Sequence, residues 1–187
     1  MRFLQTYFFL IVLISSAFFD ASAEEATRTI TDMAGRKVTI SVPIKRVFCT
    51  NGISPILVYT LAPEKLIGWP LPLSPEAAKY IASPYDKLPV IGGWFGKGNS
   101  IGVEQIIQTH PDMILFVSMG TFGKTDQYSI SMVDDLQMQT HIPVVIVQGY
   151  LSDTEQCYRL LGDWLGVPKR GAELADYIAK TLNEIQE

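Results

Sequence analysis

The sequence predicts an α/β fold: a parallel-sheet lobe with flanking helices, an N-terminal β-hairpin and the start of a long C-terminal helix. Three observations predict it. Short apolar runs alternate with helical patterns along the chain, the signature of βαβ units and a parallel sheet. Residues 113–117 (Met-Ile-Leu-Phe-Val) are wholly apolar, as a strand covered on both faces must be. The last twenty residues place Ala175, Ile178, Leu182 and Ile185 at helical spacing after Pro168.

Residues 1–23 read as a secretion signal. Residues 8–19 are almost wholly apolar but too short for the roughly 20 residues of a membrane span. Arg2 precedes them and Ala21-Ser22-Ala23 is a small-residue cleavage site, so the mature chain is expected to start at Glu24. The competing reading is an uncleaved membrane anchor. No Cys follows the run to carry a lipid, and the expected location is the periplasm.

Residues 29–40 alternate around a turn at 32–35 and predict a β-hairpin. Residues 46–50 predict a short strand and Asn51-Gly52-Ile53 a tight loop. Ser54 with Pro55 predicts a helix start, cap then first-turn proline, with the body at 56–61. Residues 65–69 predict the next strand. Pro70, Pro72 and Pro75 interrupt the chain, and 74–81 can be a helix. Residues 88–91 lead into a glycine-rich loop at 92–99. Val103, Ile106 and Ile107 share a helical face that leaves Glu104 outward. After the 113–117 strand, 130–138 predicts a helix and 144–147 the last strand. Ser152 with Glu155 predicts a capping box, opening a helix that ends at Gly166. The helix from Pro168 is expected to run about 20 residues, or roughly 30 Å.

In such a sheet, ligands sit beyond the carboxyl ends of the strands. The loops there are 50–54, 69–73, 92–100, 118–125 and 148–152. The net charge of −4 argues against nucleic acid, which selects a basic face. The glycine-rich loop lacks the Gly-Lys-Ser/Thr ending of a phosphate loop. Its Trp94 and Phe95 suit a concave apolar site, or a loop tucked onto its own lobe. His110 and His141 each sit at a proline-bounded turn entering a strand from its amino end, so a structural role is expected and no metal site. No catalytic constellation such as Gly-x-Ser-x-Gly is present. Cys49 and Cys157 could pair in an oxidising compartment, but Cys157 lies on the apolar stripe of Leu160, Leu161, Trp164 and Leu165, where a thiol acts as a small hydrophobe.

Five segments recur in order and spacing over about 150 residues: Thr31 to Val38 followed by Pro43 to Val47; Leu61-Ala62-Pro63-Glu64-Lys65-Leu66-Ile67-Gly68; Leu88 to Gly92; Val103 to Ile106; and Pro111 to Leu115. In these, residues 29–187 resemble the amino-terminal lobe of the periplasmic binding proteins that serve ABC importers of ferric siderophores, haem and vitamin B12. The resemblance implies a ligand-binding lobe at 24–167 and, at 168–187, the start of a rigid helix leading to a second lobe. That lobe is absent from these 187 residues. A longer parent chain and a truncated gene product are both open readings, and one wall of a clamp is expected to bind weakly.

The resemblance also implies a function without catalysis or cofactor: capture of a metal chelate, an iron complex first, then cobalamin, then a nickel chelate, and delivery to an ABC permease at the inner membrane. Glu104 is similar to the glutamate that docks to the permease. Trp94 is similar to a cleft-lining tryptophan, and Trp69 with Pro70 to another cleft wall. The candidate ligand-binding residues are Asn51, Trp69, Trp94, Phe95, Ser118, Thr121 and Tyr150. Lys97 and Lys124 hint at an anionic chelate. The alternatives are an exported α/β enzyme using Asn51 or Ser118, and a single-lobe module that binds another protein.

Overall fold

The computed structural model describes residues 26–94, 99–120 and 125–186, with the side chain of Gln186 excepted. The expected signal at 1–23 lies outside the described residues. An antiparallel hairpin, β1 (Ala26–Thr31) and β2 (Lys37–Val42), precedes a three-stranded parallel sheet of β3 (Val47–Cys49), β4 (Met113–Ser118) and β5 (Val144–Gln148), in the order β3-β4-β5. The described residues hold six α-helices, in chain order α1 (Ser54–Leu61), α2 (Pro75–Ala78), α3 (Val103–Gln108), α4 (Gln127–Thr140), α5 (Thr154–Trp164) and α6 (Pro168–Gln186). The α/β class, the hairpin, the parallel sheet and the long last helix are as the sequence predicts. Among the described residues no helix is long and apolar enough to cross a membrane.

Every residue of the three parallel strands is buried, and successive side chains feed opposite layers. Val47, Cys49, Met113, Leu115, Val117, Val145 and Val147 pack with Leu57, Val58 and Leu61 of α1 and Leu161 and Trp164 of α5. Phe48, Ile114, Phe116, Val144 and Ile146 pack with Ile106 of α3 and Val133 and Leu136 of α4. Two covered faces are why these strands read as continuous apolar runs.

The hairpin is locked to the sheet by Asp32. Its buried carboxylate accepts from the amides of Ala34 (3.0 Å), Arg36 (2.9 Å) and Ile146 (3.2 Å), and from Arg36 Nη1 (3.0 Å). Gly35, at φ +81°, closes this turn in a conformation that side chains resist. The amide of Met33 donates to Ile146 O, so the turn covers the outer edge of β5.

Four local expectations are corrected. Residues 65–69 make no strand: they form single bridges, Leu66 with Val47 and Trp69 with Val90. The turn Pro63–Lys65 and Pro70 leave too few residues for a ladder, and Pro89 opposite has no N–H to give. The 74–81 helix is one turn, Pro75–Ala78, capped by Ser74 Oγ on the Ala77 amide. Ser54 does not cap α1. Asn51 Oδ1 takes the amides of Ile53 (3.0 Å) and Ser54 (3.1 Å), while Ser54 Oγ donates back to Asn51 O. The capping box at Ser152 does not form, because Leu151–Asp153 makes a 3₁₀ turn and α5 starts at Thr154. That helix stops at Trp164, with Gly166 just past it at φ +75°.

α5 and α6 meet backbone to backbone. A Cβ on Gly171 would stand 2.6 Å from Tyr158 O and 2.9 Å from Gly162 Cα, so only glycine permits this crossing. Both thiols are buried and free. Burial pushes the Cys49 and Cys157 thiols up to about 12. Cys157 Sγ donates to Gln148 O at 3.0 Å, which uses the thiol as a core group and not as half of a disulfide.

Candidate functional site

Parallel strands bring their carboxyl ends to one edge, and the chain turns there five times. Thr50–Asn51 leaves β3, Ser118 ends β4 and Gly149–Tyr150 leaves β5. The 69–70 and 93–94 segments join them by hydrogen bonds. Trp94 N donates to Thr50 O (2.9 Å), and Asn99 Nδ2 donates to Pro70 O (3.1 Å). Five of the seven candidate ligand-binding residues, Asn51, Trp69, Trp94, Ser118 and Tyr150, therefore lie along this edge. Phe95 and Thr121 lie outside the described residues, as do Lys97 and Lys124.

The five differ in what they offer. Asn51 spends its amide on the fold: Nδ2 donates to Val117 O (3.0 Å), and Oδ1 starts α1. Ser118 is 1% exposed, and its Oγ accepts from Gly120 N (3.2 Å). Tyr150 donates its hydroxyl to the carbonyls of Met119 (3.1 Å) and Gly120, pinning the end of β4. Trp94 is half-buried and packs partly onto the core layer beneath α3 and α4. Trp69 is 5% exposed, its Nε1 donating to Tyr85 O (2.9 Å) and its ring 6.1 Å from that of Tyr59.

Beside Trp69 lies what the sequence reading missed. A groove of about 480 Å³ runs between α1 and the proline-rich 69–75 stretch. Its walls are Ile56, Tyr59, Trp69, Pro70, Leu71 and Tyr80, and Tyr80 is 85% exposed. The signal was present as Pro70-Leu71-Pro72 directly after Trp69. It carries no helical or strand period, so only packing against α1 shows a wall. A shallower hollow of about 340 Å³ lies over Asn51, Val117, Met119 and Tyr128. Asp126 borders it and caps α4, and the Ser129 amide (2.7 Å) holds its carboxyl below the ordinary 3.8.

Glu104 is exposed in the first turn of α3, where the positive end of a helix favours a carboxylate. It stands three residues beyond Ile101, whose amide donates to Gly93 O at the strand-end edge. His110 (φ +47°) and His141 (φ +58°) occupy left-handed turn positions at the amino ends of β4 and β5, on the opposite side of the sheet from this edge. Among the described residues no group of three His, Cys, Asp or Glu is placed to hold a metal ion.

No family model matches the chain, and no curated protein matches it. Solved structures do. An ABC transporter solute-binding protein from Sulfurospirillum deleyianum superposes with a TM-score of 0.69 at 22% identity, over 84% of this chain and 48% of that one. The molybdate periplasmic binding protein MolA of Haemophilus influenzae, bound to molybdate, gives 0.58 at 20%, over 79% and 49%. The siderophore-binding protein BauB, bound to ferric iron and two molecules of acinetobactin, gives 0.60 at 14%, over 86% and 54%. The chain spans about half the length of the solved structures it matches. It has the fold of one lobe of the ABC-transporter solute-binding proteins.

Proposed function

We propose that this chain is the ligand-facing lobe of a periplasmic solute-binding component of an ABC importer. It captures a metal chelate, an iron complex first, and passes it to a permease that reads Glu104. A cleaved signal at 1–23 carries it to the periplasm. The observation that carries this reading is the aromatic strand-end edge: Tyr59, Trp69, Pro70 and Leu71 line a groove, with Trp94 on the same edge, on a fold whose solved examples hold molybdate and a ferric siderophore. Those examples are binding proteins, which favours capture over turnover. Apolar, aromatic walls suit a chelate that hides its metal inside an organic shell.

The test is quenching of tryptophan fluorescence in the purified full-length protein by a ferric catecholate, haemin, cobalamin and a nickel–histidine chelate. Saturable quenching by one of them supports the reading. Absence of saturation below about millimolar for all four sinks it, since a millimolar Kd is worth only about 4 kcal/mol. Trp94→Ala is expected to weaken the successful chelate about tenfold, the usual cost of truncating an aromatic anchor.

A further inference from the structure

On the β5 side of the same strand-end edge, away from the aromatic groove, a second hollow of about 520 Å³ lies between the hairpin turn and the start of α5. Asp32, Met33, Thr125, Gln148 and Asp153 line it. Two buried acceptor oxygens of these residues have no partner among the described residues, Gln148 Oε1 and Asp153 Oδ2. Gln148 is 6% exposed, and its Nε2 donates to Thr125 Oγ1 at 2.9 Å. Asp153 sits where an aspartate ordinarily caps a helix, yet its side chain makes no cap bond to α5. Among the described residues it enters no ion pair. Asp32 on the facing wall is already matched by Arg36 and three amides, so the charge left over is that of Asp153.

Buried acceptors in a native structure are met by protein, water or ligand, and each exception calls for a partner. A carboxylate and an amide oxygen, both unmatched among the described residues, belong to side chains that line one hollow of small-ligand size, and together they suit a cationic hydrogen-bond donor. A bare metal ion fits poorly, because a single unmatched carboxylate is left here and among the described residues no group of three His, Cys, Asp or Glu is placed to hold one. We propose that this hollow binds a small organic cation carrying N–H donors, an alkylammonium or alkylguanidinium, that donates to Gln148 Oε1 and Asp153 Oδ2. The site shares no residue with the aromatic groove and does not rest on the transport reading.

The experiment is titration of the ¹⁵N-labelled protein with butylammonium, butylguanidinium and butyltrimethylammonium, the last having the charge but no N–H. Saturable shifts of the Gln148 side-chain amide and the Asp153 and Thr154 backbone amides are expected with one or both of the first two, and the difference between them names the cation. Asp153→Asn is expected to weaken that binding at least about tenfold. Gln148→Leu, which removes the unmatched oxygen and leaves the core apolar, is expected to weaken it with no loss of Tm. Equal shifts with all three cations, binding unchanged in both variants, or a crystal structure grown with the cation in which only a water bridges Gln148 and Asp153, would each overturn the proposal.

Discussion

Replacing Asp32 by Ala tests the central bolt of the fold. The substitution removes the acceptor for three amides, Ala34, Arg36 and Ile146, and for Arg36 Nη1. The Asp32 side chain is fully buried and that of Arg36 is nearly so. Breaking a buried ion pair from one side costs about 3–5 kcal/mol, because the partner charge stays buried. Arg36 also reaches Asp134 (2.9 Å) and Val144 O (3.1 Å), which keeps part of its charge satisfied and puts the expectation at the low end, about 3 kcal/mol. For a domain of this size each kcal/mol moves Tm by roughly 2–4 °C, so a drop of about 6–12 °C is expected. The assay is thermal unfolding followed by circular dichroism, with Asp134→Ala as control. Asp134 is 56% exposed, and its pair with Arg36 is worth at most about 1 kcal/mol. If Asp32→Ala lowers Tm no more than Asp134→Ala, the hairpin is not held by this carboxylate and the reasoning fails.

Gly171→Ala is expected to destabilise by about 1–3 kcal/mol in urea unfolding, because its methyl meets Tyr158 O at 2.6 Å and must push α6 off α5; an unchanged midpoint would mean that the helices part freely. Cys49 and Cys157 are expected to resist iodoacetamide at pH 8 in the folded protein and to react in 6 M guanidinium (about 6 M, a full denaturant), as read by mass spectrometry. Their thiols titrate near 12 in the fold against an ordinary 9.0, so the unfolded chain loses these protons first. The thiols' contribution to stability is therefore fully present below pH 9 and is lost as pH rises from about 9 towards 12; a Tm that is flat across that window contradicts the burial of both thiols. Glu104→Ala is expected to leave chelate binding intact and impair uptake in cells, and uptake at the unaltered rate removes Glu104 from permease docking.

What the sequence determined by itself was periodicity and its consequences. The continuous apolar runs at 113–117 and 144–147 named two buried strands, because a strand covered on both faces has no polar position to alternate with. The stripe after Pro168 named α6, which runs Pro168–Gln186. From the α/β order came the strand-end edge and with it the placing of Asn51, Trp69, Trp94, Ser118 and Tyr150. Tertiary structure alone decided how those residues are used. Asn51 and Ser118 turn their polar atoms into the fold, since backbone groups at a sheet edge must find partners and these side chains are the nearest. The groove at Tyr59 and Tyr80 and the unmatched oxygens of Gln148 and Asp153 each join segments far apart in the chain. No local pattern encodes such a meeting: period and capping act over a few residues, whereas a wall or a buried acceptor exists only once distant elements have packed.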